Sequence, residues 1–136
     1  MSRQITAEYL KAIGEYQWDN RDFKRGDIWY ADLGEIDGND GSETRGYRPV
    51  IIIQNDIGNK YSQYVIVAVI SSSDNKLNKQ LPTQAHIQLE KPSVILTECI
   101  KTIHKDKLCK FCEHLNKEEM LEVDLALMKS LGLVRI

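Results

Sequence analysis

The run Ser42-Glu43-Thr44-Arg45-Gly46-Tyr47-Arg48-Pro49-Val50 places a carboxylate and two guanidiniums on a glycine-containing loop that leads into an apolar strand. An arginine at such a strand mouth is permanently charged and offers two parallel N–H donors to a phosphate. The same spacing permits a purely structural reading, with Arg48 ion-paired to Glu43 and closing the strand end. Ser71 ends a second apolar run, Tyr64 to Ile70, where a hydroxyl either orients a reacting group or forms the turn. Cys109-Lys110-Phe111-Cys112 has the two-residue gap of a zinc half-site, with Cys99, His104 and His114 near in sequence. A structural zinc site needs four convergent ligands, and cysteines three apart on a strand point to opposite faces. The cysteines therefore read as small, half-buried apolar side chains, and no metal is expected. The chain holds no Gly-Xaa-Ser-Xaa-Gly elbow, no Gly-Lys-Ser/Thr phosphate loop and no His-Glu-Xaa-Xaa-His helix.

These residues need elements to hold them. Ile5, Tyr9, Ile13 and Tyr16 recur at helical spacing, so residues 1 to 23 read as a helical extension, weakened by Gly14. From Lys24 onward the pattern is strand and turn. Asp27 to Leu33 is rich in β-formers, and Gly34 to Gly46 is a long loop holding Asn39-Asp40-Gly41. Arg48 to Gln54 is apolar on both faces and hence a central strand, with Pro49 tolerable where the ladder begins. Asn55 to Asn59 reads as a turn, and Tyr64 to Ile70 as a second buried strand followed by a polar loop. Two shorter strands are expected around His86 to Leu89 and Ser93 to Ile103, and another at Leu108 to Leu115. Asn116 and Glu119 have the capping-box spacing that opens a closing helix. Its stripe is Met120, Val123, Leu127 and Leu131, widened by Leu121, Leu125 and Met128, and Gly132 stops it. The expected fold is α+β, mainly β: a small bent sheet or barrel with a C-terminal helix.

Composition limits the partners. The chain has 136 residues, a net charge of −2 and 42% hydrophobic residues, which suits one globular domain and excludes disordered and fibrous classes. A near-neutral chain cannot coat long duplexes, because that affinity scales with neutralised phosphates. The charge is segregated, however. Asp32, Glu35, Asp37, Asp40 and Glu43 form an acidic stretch, while Lys101, Lys105, Lys107 and Lys110 cluster later as candidate phosphate contacts. No apolar run approaches the roughly 20 residues that span a bilayer, and no secretory signal opens the chain, so no membrane is expected. Three cysteines make an odd count, which fits a reducing cytoplasmic setting better than a disulfide framework.

Lys24 to Leu33, Gly41-Ser42-Glu43, Arg48 to Asn59, Leu81-Pro82-Thr83, Ser93 to Glu98, Lys101-Thr102-Ile103 and Ser130 to Leu133 occur in the order of the MazF/PemK family of toxin endoribonucleases, which the chain from Lys24 to Leu133 resembles. The resemblance implies an SH3-like barrel of the MazF/CcdB type spanning residues 24–136, a homodimer, and neutralisation by a cognate antitoxin peptide. It implies cleavage of single-stranded RNA without metal or other cofactor, in which the 2′-hydroxyl attacks the adjacent phosphorus and leaves a 2′,3′-cyclic phosphate and a 5′-hydroxyl. The family's essential arginine falls on Arg48, its essential threonine on Ser71, and its Gly-Ser-Glu carboxylate on Glu43. The general base is Glu43 or Arg48. Ser42, Tyr47, Glu98, Lys101 and Thr102 are the implied substrate contacts, Tyr47 as a stacking platform or else a lid over the core. The chain departs from the family pattern in its first 23 residues, in longer loops after Leu33 and Ser71, and in a shorter stretch between Thr83 and Ser93. Two rival readings share the fold: a CcdB-like inhibitor of gyrase, and a catalytically silent nucleic-acid-binding module whose acidic loop covers the groove.

Overall fold

The computed structural model describes residues 21–34 and 45–136. The expected helix within residues 1–20 and most of the long loop, including Ser42 and Glu43, lie outside the described residues. Six strands form one antiparallel sheet: β1 (Asp27–Asp32), β2 (Tyr47–Ile52), β3 (Tyr64–Ser71), β4 (Gln84–Gln88), β5 (Pro92–His104) and β6 (Leu108–His114). Their spatial order is β4-β5-β3-β2-β1-β6. Three helices accompany them, α1 (Asp56–Tyr61), α2 (Asp74–Leu77) and α3 (Lys117–Ser130).

Both faces of the central strands are covered, which is why β2 and β3 read as continuous apolar runs rather than alternating ones. On one face Ile28, Ile51, Ala68, Ile70 and Ile95 pack under Val123 and Leu127 of α3. On the other, Val50, Ile52, Val65 and Val67 pack with Trp29, Leu108 and Phe23. Phe23 is thus part of the core although it precedes the expected start of the domain. Arg21 sits over the Phe23 and Trp29 rings at 4.9 and 5.2 Å and donates to the Leu108 carbonyl.

Register shifts curl the sheet. Two interrupt β1–β6, and a third in β5 sets Thr97, Glu98 and Cys99 outside the strand register between Leu96↔Val69 and Ile100↔Ala68. Thr97 ties this bulge down, its hydroxyl donating to the Thr83 and Ala126 carbonyls while its own carbonyl accepts from Ser130 Oγ at 2.9 Å.

The closing helix starts and stops where the sequence places it. Asn116 and Glu119 exchange side-chain to backbone bonds of 2.8 and 3.0 Å. Gly132 (φ 74°) ends the helix in a Schellman motif, with Leu133 N donating to Met128 O and Gly132 N to Lys129 O. The apolar face is narrower than expected. Val123, Ala126 and Leu127 are buried, but Leu121, Leu125 and Leu131 are exposed, since α3 lays one narrow face on the sheet. Two further expectations change. Asn55 to Asn59 is not a plain turn: Asn55 accepts from Gly58 N and caps α1. The loop after Ser71 holds α2, capped by Ser73, whereas the strand expected at Ser93 to Ile103 is found as β5, one residue longer at each end. Among the described residues no helix is long and apolar enough to cross a membrane.

Candidate active site

Arg48 enters β2 from a loop mouth that the backbone closes. Leu33 N donates to Gly46 O at 2.9 Å and Gly46 N to Gly34 O at 2.8 Å, with Gly46 at φ 84°. That left-handed turn suits glycine and aims the chain into the sheet. Arg48 is half-buried, and its Nε donates to the Arg45 carbonyl at 2.5 Å. A guanidinium has five N–H donors, so four on the Nη atoms stay outside that bond.

Val50 pairs with Val69 and Ile51 with Ala68. Continued by two residues, this register sets Arg48 across from Ser71, on the face that Val50 and Ile52 bury. Ser71 is itself buried and its Oγ accepts from Ser73 N at 3.2 Å, so it forms the turn. Its own O–H proton has no acceptor among the described residues.

Beside Arg48 lies a cavity of about 310 Å³ between β1, β2 and the β4–β5 turn. Tyr30, Tyr47, Glu90, Lys91 and Ser93 line it with Arg48, over a floor of Pro49 and Ile70. Tyr47 is 60% exposed and stacks on Tyr30, ring centroids 5.5 Å apart and planes 11° from parallel. It is therefore a displayed ring and not a lid over the core. Burial pushes the Tyr30 phenol up, helped by the negative potential of Cys112, Glu90 and Tyr47, so it stays a neutral donor at ordinary pH. Tyr30, Glu90, Lys91 and Ser93 were not among the residues the sequence singled out. Their approach to Tyr47 depends on the pairing Tyr30↔Pro49 and on the β4–β5 hairpin, neither of which local spacing reveals.

The other expected contacts lie apart. Glu98 sits in the β5 bulge and accepts from Thr83 Oγ1 at 2.9 Å. Lys101 pairs with Val67, four residues along β3 from Ser71, or about 13 Å at strand rise, on the same face as Arg48. Thr102, opposite Ile66, faces the other side. None of the three lines the cavity. Lys105 overturns its expectation as a phosphate contact. It is 4% exposed, its Nζ donates to the Asn59 carbonyl, and it lies 5.6 Å from the Phe23 ring. Lys107 and Lys110 are exposed. Cys99, Cys109 and Cys112 form no disulfide, and the described residues form no group of three or more metal-ligating side chains.

Residues 24–131 match the family described as PemK-like, MazF-like toxin of type II toxin-antitoxin system. An Endoribonuclease MazF of Staphylococcus epidermidis is 48% identical over 115 residues, covering 81% of this chain and 92% of that protein. A mycobacterial endoribonuclease solved in complex with its cognate antitoxin has the same fold, with a TM-score of 0.68 at 21% identity over 83% of this chain and 98% of that one. MazF from Deinococcus radiodurans gives a TM-score of 0.67 at 16% identity, over 83% and 99% of the two chains. With the family match spanning nearly the whole sheet and α3, and with the arginine of the Arg-Pro strand standing at an open cavity, the chain belongs to the PemK/MazF family of type II toxin–antitoxin toxins and is an endoribonuclease of the MazF type.

Proposed function

We propose that this endoribonuclease cuts single-stranded RNA by in-line attack of the substrate's own 2′-hydroxyl, with no metal in the reaction. The observation that carries the proposal is Arg48, held through Nε by the Arg45 carbonyl with its remaining N–H groups at the rim of the cavity. The 2′-oxygen forms a bond to phosphorus and the bond to the 5′-oxygen breaks. The 2′ proton passes to a base, and the departing 5′-oxygen takes a proton to become a hydroxyl. Charge builds on the non-bridging oxygens as phosphorus becomes five-coordinate, and a fixed guanidinium favours that state over the ground state. Ser71, buried and outside the cavity lining, holds the turn behind Arg48. The base that takes the 2′ proton is Glu43 or Arg48.

Tyr47 stacks on a base, Lys101 meets a phosphate further along the strand, and Ser42 and Glu98 complete the RNA path, whereas Thr102 on the other face takes no part in it. We read the curled sheet as a small SH3-like barrel of the MazF/CcdB type, with Phe23 as part of its core. The working form is a cytoplasmic homodimer held in check by a cognate antitoxin peptide. Support for a dimer comes from an apolar groove where Ile53, Ile66 and Ile100 meet Leu127, Leu131 and Leu133. Cysteines that form no disulfide fit a reducing compartment.

The test is incubation with a long single-stranded RNA in excess EDTA, followed by end mapping. Discrete cuts with 2′,3′-cyclic phosphate and 5′-hydroxyl ends are expected. Cutting that requires magnesium overturns the mechanism. RNA binding without products marks a silent binding module, and gyrase inhibition without cutting marks a CcdB-like inhibitor.

A further inference from the structure

The cavity beside Arg48 is built for more than the phosphate. Its volume of about 310 Å³ is at the lower end of small-ligand pockets, roughly 300–1,000 Å³, and suits one nucleotide better than a folded segment. Tyr47 already has one face on Tyr30, and the exposure of its ring leaves the rest available to a stacking partner. Opposite, the β4–β5 turn is held in shape before anything binds. Ser93 Oγ donates to Lys91 O at 2.9 Å and Leu89 N donates to the same oxygen at 3.2 Å. The turn displays Glu90, which makes no hydrogen bond or ion pair among the described residues. An ionised carboxylate only accepts hydrogen bonds. It therefore welcomes an exocyclic amine and repels a carbonyl at the same place on a base edge, the difference between cytosine and uracil.

We propose that this cavity is a base pocket for the nucleotide flanking the scissile phosphate, in which Tyr47 stacks on the base and Glu90 selects a base bearing an exocyclic amine over uracil. The proposal rests on the nuclease reading above, because Arg48 is the wall that the pocket shares with the reaction centre. Tyr47 supplies affinity that tolerates any base, and Glu90 supplies the choice among them.

Two measurements on the full chain test it. The first is cleavage of a random-sequence single-stranded RNA pool, sequenced at its ends. The wild type disfavours uracil at one position next to the cut by about tenfold or more. Glu90→Gln, whose amide can donate as well as accept, brings that ratio to about twofold or less. Tyr47→Ala lowers kcat/KM about tenfold or more and keeps the exclusion of uracil. The second measurement is amide chemical-shift titration with CMP and with UMP, which differ at the exocyclic amine or carbonyl and at the adjacent ring nitrogen. CMP moves the signals of Tyr30, Tyr47 and Ser93 at concentrations about tenfold lower than UMP, and Glu90→Gln removes the difference. If the RNA is cut but uracil is accepted freely next to the cut, the pocket is refuted while the nuclease stands. If no RNA is cut yet CMP binds selectively in the cavity, the nuclease reading falls and the pocket survives. Equal response to the two nucleotides, or signals that move elsewhere, refutes the pocket whatever the cleavage result.

Discussion

Replacing Arg48 by lysine keeps the charge and removes the fork, and so isolates what the fork contributes. In the wild type, Nε–H is committed to the Arg45 carbonyl at 2.5 Å while the two Nη groups can address a phosphate with parallel bonds. An ammonium has three N–H groups around a single point. It can anchor on the carbonyl or meet the phosphate, but it cannot hold a fixed bidentate geometry while doing both. Losing one charge-assisted hydrogen bond costs about 1.5–3 kcal/mol, or roughly 10- to 150-fold in rate. Arg48→Ala also loses the charge and falls by about 10²- to 10³-fold or more, the usual cost of an oxyanion donor. Both losses belong in kcat more than in KM, because the charge they meet develops at the transition state. Steady-state turnover of a fluorogenic RNA in EDTA measures them, with circular-dichroism melts confirming that each variant is folded. A lysine variant within about threefold of wild type in kcat refutes the bidentate role. An alanine variant with raised KM and unchanged kcat makes Arg48 a binding cation only.

Four further outcomes are expected. Asn116→Ala removes the side-chain acceptor of the Glu119 N–H, leaves the bond from the residue-116 backbone N–H to the Glu119 carboxylate, and costs about 1 kcal/mol, seen as a fall in Tm of about 3–6 °C. Ile51→Ala empties a fully buried site in the α3-side cluster and costs about 2–5 kcal/mol in urea unfolding; a loss under about 1 kcal/mol refutes its place in the core. The Arg25 N–H on Asp56 holds that carboxyl below its ordinary 3.8, so it stabilises the fold above that pH and the benefit disappears as pH falls through the lower folded value. The gap in urea midpoint between wild type and Asp56→Asn is therefore full at pH 6–7 and closes below about pH 4; a gap independent of pH removes the assignment. Leu131→Glu puts a charge into the apolar groove and should shift the sedimentation coefficient from dimer to monomer, and an unchanged value removes that groove from the interface.

The sequence was most informative where chemistry is local. The cap at Asn116 with Glu119, the stop at Gly132 and the doubly buried runs of β2 and β3 each depend on a few adjacent residues, and each is found. Short helices escaped because α1 and α2, of six and four residues, are too brief to show a period, so Asn55 reads as a turn former and the stretch after Ser71 as a polar loop, although Asn55 and Ser73 are caps. Lys105 was misread because a lysine run looks like a solvated face until the chain brings Asn59 and Phe23 onto one member of it. Leu121 and Leu125 lie on α3 at helical spacing, but which face is buried depends on how the sheet meets the helix and not on the helix itself. Arg48 was legible from its motif. The rest of its cavity was not, since Tyr30 and Glu90 reach it from strands whose pairing is long-range.

The first strand has a consequence for synthesis. β1 lies between β2 and β6, and Asp27 meets His114, 87 residues later, through a 2.7 Å contact between carboxylate and ring. At about 5–20 residues per second, a ribosome needs roughly 4–17 s to travel between those two positions. During that interval the nascent chain carries β1 with one ladder of backbone groups unfilled, and Trp29 and Ala31 lack Leu108 beside them. A translation product that stops short of β6 therefore has an open edge and an incomplete interior, so the enzyme arises only from nearly finished chains.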